Sequence, residues 1–310
     1  HSPTSAATTS LADLCPYDRA AITTGIVHFG VGGFHRAHQA MYIDRLMRAG
    51  QAYEWGICGI GVMPSDQRMR DVLRAQSGLY TLLERHPDGT EQTIVIGSII
   101  DFLYAPDDPE AVIAKVADPA TKVVSLTVTD GGYNIHRVTG EFDTSTPKII
   151  AEVQSADPPS SVFGLVTGAL QRRRDAGQEP FAISSCDNIQ GNGDIARGAF
   201  VGYARMRDRS LADWIQQHVA FPNSMVDRIT PATTQDDIDH LKAAFGITDG
   251  WPVVCEPFEQ WVLEDHFPAG RPPYEQAGVQ MVTDVEPYEL MKLRLLNAGH
   301  QALGYFGYLL

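Results

Sequence analysis

The chain has 310 residues, with 24 Lys and Arg against 38 Asp and Glu, a formal net charge of −14 and 44% hydrophobic residues. This is the composition of a soluble globular protein long enough for one large domain or two. The acidic surplus argues against a nucleic-acid partner and against an anionic membrane surface, and no apolar run reaches the roughly 20 residues that span a bilayer.

The opening HSPTSAATTS is small and polar, and a disordered lead is expected over residues 1–20. Four cysteines at positions 15, 58, 186 and 255 are widely spaced without a CxxC pair; they read as free thiols, as in a reducing cytoplasm. GIVHFG (25–30) is a short β-rich run. After its glycines, residues 37–50 carry a helical stripe of Met41, Ile43, Leu46 and Met47, closed by Gly50. EWGICGIGV (54–62) reads as a second strand and QRMRDVLRAQ (67–76) as a helix. LYTLLER and EQTIVIGSIIDFLY read as strands joined across HPDGT, where Asp88-Gly89 signals a turn. A helix over 109–118 precedes KVVSLTVT (122–129), a near-continuous β-branched run of the kind buried on both faces in a parallel sheet. A helix near 160–175, a buried-type strand PFAISSC (180–186), and helices around 194–207 and 210–220 follow. Strand and helix alternating in this way predict a doubly wound, Rossmann-type α/β sheet. The expected dinucleotide-binding domain runs over 21–285, and a helical domain begins at 286.

HFGVGGFHRAH (28–38) places Gly30, Gly32, Gly33 and Phe34 between the first strand and the first helix. Glycine there allows the tight turn and the approach of backbone N–H groups to a pyrophosphate. The match to GxGxxG is imperfect because His35 occupies the third glycine position, so the motif rests on its place in the first βαβ unit. The nearest acid for the adenosine ribose is Asp66, in VMPSDQRMR. It reads equally as a cap of the helix at 67–76. A ribose-facing Asp66 would favour NAD over NADP, and Arg68 nearby is the residue that could upset this preference.

The last stretch, YELMKLRLLNAGHQALGYFGYLL (288–310), reads as one long apolar helix that nevertheless carries Glu289, Lys292, Asn297 and His300. At about 100° per residue, with Glu289 as zero, Lys292 falls near −60°, His300 near +20° and Asn297 near +80°, an arc of roughly 140°. Such a stripe is commonly just the solvated face of an amphipathic helix. Here Arg294 is the only other charge, and the set is chemically complementary. A lysine in a dry pocket has a lowered pKa and serves as a general base; an amide and an imidazole can bind a developing oxyanion.

Together VHFGVGGFHRAHQAMYID, SLTVTDGGY, SCDNIQGNG, PNSMVDRITP, PVVCEPFEQWVLEDHFPAGRPP and KLRLLNAGH resemble the polyol-specific long-chain dehydrogenases, over nearly all of the chain from about residue 24. The resemblance implies metal-independent, NAD-dependent interconversion of a sugar alcohol and a ketose, mannitol and fructose above all. It implies that Lys292 is the lysine of a K-x-x-x-x-N-x-x-H pattern completed by Asn297 and His300. It further implies Asn188 as a second oxyanion-binding amide, Glu289 as a proton relay, and Val226 and Asp227 on the nicotinamide side. Asp130 stands where the family has Glu, one methylene longer, and counts among the cofactor-facing residues; Ser65 stands where some members have an acid. The family also has a large helical C-terminal domain beyond the lysine helix, and the apolar ending YFGYLL reads as a helix cut within it.

Three other readings compete. A zinc site at His28, His35 and His38 lacks a cysteine at ligand spacing. A nucleotide-binding protein without catalysis would be marked by a missing base, and Lys292 is present. A hexuronate reductase of the same family would need a cation for the substrate carboxylate. Oligomeric state is not legible.

Overall fold

In the computed structural model, residues 10–136, 138–297 and 299 are described. The strands, in chain order, are β1 (Thr24–Phe29), β2 (Gly56–Gly61), β3 (Tyr80–Arg85), β4 (Glu91–Ile96), β5 (Ile99–Tyr104), β6 (Val123–Leu126), β7 (Ala182–Ser185), β8 (Ser224–Asp227), β9 (Val253–Cys255), β10 (Gln260–Glu264) and β11 (Gln280–Val282). Five of them form a parallel sheet in the order β5-β2-β1-β6-β7. Every residue of β2, β6 and β7 is buried, which is why their sequences run apolar without alternation. Val27 and Phe29 pack on one face, under helices Pro109–Ala117, Val162–Asp175 and Asn192–Arg207; Ile26 packs on the other, under helix Gln39–Arg48. Helices on both faces make the sheet doubly wound, as expected. Strand order reverses at β1, whose neighbours β2 and β6 diverge, so a crevice opens at the carboxyl ends of these three strands.

Two smaller sheets were not foreseen: β11-β10-β8, with β8 and β10 antiparallel, and β4-β3-β9. The β3–β4 hairpin follows the Asp88-Gly89 signal, with Asp88 Oδ1 accepting from the N–H and hydroxyl of Thr90. EQTIVIGSIIDFLY is not one strand. It breaks at Gly97-Ser98, and its halves, β4 and β5, enter different sheets. The break is pinned on both sides. Gly97 donates its N–H to Asp44 and gives its carbonyl to Arg19 Nε at 2.9 Å, and Ser98 Oγ donates to the Ala40 carbonyl at 2.6 Å. The helix expected over 37–50 is present as Gln39–Arg48, and a separate short helix, Gly33–Ala37, precedes it across His38.

Contrary to an unstructured lead through residue 20, the described part of that stretch is ordered. Ser10 caps a turn of helix at Leu11–Leu14, Tyr17 donates its hydroxyl to Asp44, and Arg19 reaches the carbonyls of Ser77 and Ile99. These contacts tie the segment to helix Gln39–Arg48 and to the β5 edge. At the end of the described chain Glu286–Met291 is α-helical and Lys292–Asn297 is a π-helical turn; residue 298 and residues 300–310 of the expected long helix lie outside the described residues. Among the described residues no helix is long and apolar enough to cross a membrane.

His28, His35 and His38 are buried beneath this frame, with the His28 and His35 rings stacked at 3.4 Å. His28 meets Ser125 Oγ at 2.7 Å and Thr127 Oγ1 at 2.9 Å. Burial pushes His28 and His38 down to about 3, and His35 well below its ordinary value, so all three are neutral in the fold. An unfolded histidine titrates near 6.5, so below that pH the unfolded chain binds more protons than the folded one. The stability these histidines contribute is present above about pH 6.5 and is lost on acidification at up to about 1.4 kcal/mol per pH unit for each. Urea unfolding between pH 7 and 5 is therefore expected to show a steep fall in free energy; a flat profile would contradict the buried neutral cluster.

Candidate active site

The glycine turn sits at the crevice. Gly30 follows β1 with φ +94°, and a Cβ there would lie 2.1 Å from the Thr127 carbonyl oxygen. Both the conformation and the close approach require glycine. Gly32 stands at the N-cap of helix Gly33–Ala37, where a Cβ would meet only the Gly30 carbonyl, at 3.8 Å. Together Gly30, Gly32, Val62, Asp66, Thr127 and Thr129 line much of a cavity of about 390 Å³. Small residues on one wall and a carboxylate on the other suit a nucleotide.

Asp66 lines this cavity, and although it stands at the N-cap position of helix Gln67–Ala75 its side chain makes no capping hydrogen bond to that helix. Its Oδ2 accepts from the N–H groups of Val62 and Met63, at 2.9 Å each, which fixes the turn before helix Gln67–Ala75. Its Oδ1 has a single long contact among the described residues, Ser65 Oγ at 3.5 Å, so one oxygen remains available to a ligand. Arg68 places its guanidinium 4.2 Å over the Trp251 ring. Phe34 stacks on His38 at 4.8 Å, and Gly33 packs near Thr230. Neither lines the cavity, and Asp130 is exposed outside it, although its neighbours Thr129 and Gly132 do line it. Gly33 and Phe34 entered the expected cofactor set through the glycine turn and Asp130 through the family resemblance; none of the three is among the residues that line this cavity.

The second centre lies at the ends of β7 and β8. Lys292 Nζ donates to the Val226 carbonyl at 2.6 Å and to Asn188 Oδ1 at 3.0 Å, and lies 3.6 Å from Asp227 Oδ1. Burial lowers the Lys292 pKa, and Asp227 opposes the shift. Because the Asn188 oxygen accepts from lysine, its Nδ2 is left to donate. A small cavity of about 80 Å³ is bounded by Asn188, Ser224, Val226, Glu289, Lys292 and Leu293 among others. Glu289 is 7% exposed, and its Oε1 accepts from the Gly191 N–H at 3.0 Å; burial raises its carboxyl pKa. The expected Lys292, Asn188, Val226, Asp227 and Glu289 therefore do come together. His300 and the side chain of Asn297 lie outside the described residues. The arc computed at 100° per residue does not apply from Lys292 onward, because i→i+5 bonding winds the chain at more residues per turn.

Several positioning residues escaped the sequence reading. Asn192 Nδ2 binds the carbonyls of Asp187 and Ser224, and its Oδ1 accepts from Ser224 N–H at 2.9 Å, which joins the β7 end to β8. Arg228, buried, pairs with Glu84 at 2.9 Å and Glu259 at 3.0 Å and binds the Ala37 carbonyl, which anchors the end of β8 that carries Asp227. Glu264 binds the N–H of Asn223 at 2.9 Å and that of Val285 at 3.3 Å, ahead of the lysine-bearing helix. All three lie inside stretches that carry the family resemblance, SCDNIQGNG, PNSMVDRITP and PVVCEPFEQWVLEDHFPAGRPP, without being singled out there. Among the described residues, no group of three or more His, Cys, Asp or Glu is placed to hold a metal ion.

The family model for the mannitol dehydrogenase Rossmann domain matches residues 24–276. The chain belongs to the mannitol dehydrogenase family. It is 52% identical over 94% of its length to a mannitol 2-dehydrogenase of Phaeosphaeria nodorum, covering 52% of that protein. It is 49% identical over 95% of its length to a polyol:NADP oxidoreductase of Gluconobacter oxydans, covering 61% of it. Among solved structures, the Pseudomonas fluorescens mannitol 2-dehydrogenase ternary complex with NAD and D-mannitol superposes with a TM-score of 0.90 at 48% identity, over 96% of this chain and 62% of that one. A substrate-free D-sorbitol dehydrogenase superposes with a TM-score of 0.89 at 48% identity, over 92% and 59%. The chain thus spans about half to three-fifths of the length of the curated relatives it matches.

The glycine turn of this family member offers a direct check. Gly30→Ala forces a side chain into the Thr127 carbonyl at a positive φ, which is expected to cost well over about 1 kcal/mol in stability and to abolish dinucleotide binding. Thermal unfolding and NADH fluorescence titration measure both; an alanine variant that binds NADH normally would contradict the close approach at Gly30.

Proposed function

We propose that the chain carries the cofactor site and the central base of an NAD-dependent polyol dehydrogenase that interconverts a sugar alcohol and a ketose, D-mannitol and D-fructose being the favoured pair. The observation that carries this reading is the partly desolvated Lys292 amine, held by the Val226 carbonyl and Asn188 beside Asp227, on the same strand-end edge as the glycine-lined cavity. Relatives named mannitol 2-dehydrogenase, and a solved relative holding NAD and D-mannitol, support the substrate class.

In the oxidation direction, Lys292 as the free amine takes the proton of the reacting hydroxyl; burial lowers its pKa and so favours that form relative to an exposed lysine. Asn188 Nδ2 donates to the same oxygen as negative charge builds on it. Asp227 stabilises the ammonium that Lys292 becomes, and Glu289, with its raised pKa, is suited to pass the proton onward. A bound nicotinamide supplies the hydride acceptor. The K-x-x-x-x-N-x-x-H pattern adds Asn297 and His300 as further donors to the substrate oxygen. The open oxygen of Asp66 suits the ribose hydroxyls and would repel a 2′-phosphate, which favours NAD; Arg68, the residue that could offset this, lies over the Trp251 ring.

Replacing Lys292 by Ala is expected to lower kcat by about 10²–10⁴-fold while leaving NADH binding nearly unchanged. Steady-state assays with mannitol, arabinitol, sorbitol, fructose and fructuronate would check this and rank the substrates. A loss of less than about tenfold would remove Lys292 from the base role, and fructuronate reduced in preference to fructose would move the assignment to a hexuronate reductase.

Asp66→Ala is expected to weaken NAD use and raise NADP use, read as the ratio of kcat/KM for the two cofactors. A wild-type protein that already uses both equally would leave Asp66 only its turn-fixing role.

A further inference from the structure

Thr129 has φ 65° and ψ 166°, a region of backbone space occupied essentially by glycine alone. A β-branched residue does not rest there unless its surroundings hold it. Thr129 ends the run Thr127–Val128–Thr129 that leaves β6 and lines the cofactor cavity.

The holder is Asp187. Its Oδ1 accepts from the Thr129 N–H at 2.8 Å; its Oδ2 accepts from the Val128 N–H at 3.0 Å and from the Tyr133 hydroxyl at 2.7 Å. The residue is buried, and the buried Tyr133 hydroxyl also meets Ser185 Oγ at 2.7 Å. The far side of the same residue belongs to the other centre. Asn192 Nδ2 holds the Asp187 carbonyl at 3.0 Å, Asp187 borders the small cavity, and the next residue is Asn188, the partner of Lys292.

We propose that Asp187 is a positioning residue that holds Thr129 in its glycine-type conformation and so keeps the wall of the cofactor cavity in register with Asn188. The proposal rests on the dinucleotide reading of that cavity. Its physical content is a coupling. The carboxylate supplies acceptors for two consecutive N–H groups, and the strained threonine is what makes those acceptors necessary.

Asp187→Asn keeps the shape, but its amide nitrogen cannot accept, so part of the hold on the loop is lost. Thr129→Gly makes the conformation available without the hold. NADH dissociation constants, from fluorescence titration, and melting temperatures would be measured for the wild type, both single variants and the double variant. Asp187→Asn is expected to weaken NADH binding about tenfold or more, the size of a lost charge-assisted hydrogen bond. In the Thr129→Gly background the loss caused by Asp187→Asn is expected to shrink to within about threefold, since contacting residues are non-additive.

Asp187→Asn binding within about twofold of wild type, or an undiminished loss when Asp187→Asn is added to Thr129→Gly, would overturn the proposal. If Asp187→Asn alone does not fold, the double variant is expected to restore a folded, NADH-binding protein, and its failure to do so overturns the proposal as well. A wild-type protein that binds no NADH would instead bring down the cofactor reading, and this proposal with it.

Discussion

A lysine withdrawn from water is tolerated only where fixed groups meet it, and Lys292 is met by three. Burial disfavours the ammonium and the Asp227 carboxylate at 3.6 Å favours it; burial is the stronger of the two and holds the Lys292 pKa below the ordinary lysine value. The neutral acceptors, the Val226 carbonyl and Asn188, orient the nitrogen without adding a full charge. Removing Asp227 would leave the cation without its compensating charge, and exposing Lys292 would return it to an ordinary lysine. The chemistry depends on holding this partial compensation. The carbonyl and the carboxylate come from β8 and the amide from just beyond β7, so the arrangement of these two strand ends sets the site.

The rest of the fold fixes those ends. Asn192 binds across from Asp187 to Ser224 and locks β7 to β8. Arg228 ties the end of β8 to Glu84 of β3 and to the helix after the glycine turn, so the small sheets brace the strand end that meets Lys292. Glu264 joins β10 to the start of the helix that delivers Lys292. The parallel sheet supplies the other half: reversal of strand order at β1 leaves a crevice, and Gly30 lets the chain approach Thr127 closely enough to shape it.

Much of this was legible because local patterns and burial agree. VVSL within KVVSLTVT and AISS within PFAISSC form strands buried at every residue, and their near-continuous run of β-branched and small residues, without alternation, reported that directly. The Asp88-Gly89 turn and the Lys292, Asn188, Asp227 and Glu289 grouping were readable from turn chemistry and motif resemblance. What escaped had tertiary causes. The break at Gly97 comes from Asp44 and Arg19, each more than fifty residues away. Phe34 and Asp130 sit beside cavity residues in sequence but are not among the residues that line the cavity. The π-helical turn at Lys292–Asn297 has no sequence signal at all in an ideal-helix projection. Thr129 hid for the opposite reason: a threonine gives no hint of a glycine conformation until its partner carboxylate is seen.

The state of the lysine amine is the quantity on which the account turns, and it can be observed without turnover. Protein labelled with ¹³C at the lysine ε-carbons, with Lys292→Ala used to assign the signal, would give the titration of Lys292 by NMR. The account predicts a midpoint clearly below the roughly 10.4 of an unperturbed lysine, and a lower one still in Asp227→Asn, where the opposing charge is gone. A midpoint at or above the ordinary value, or one that rises when Asp227 is neutralised, would contradict it.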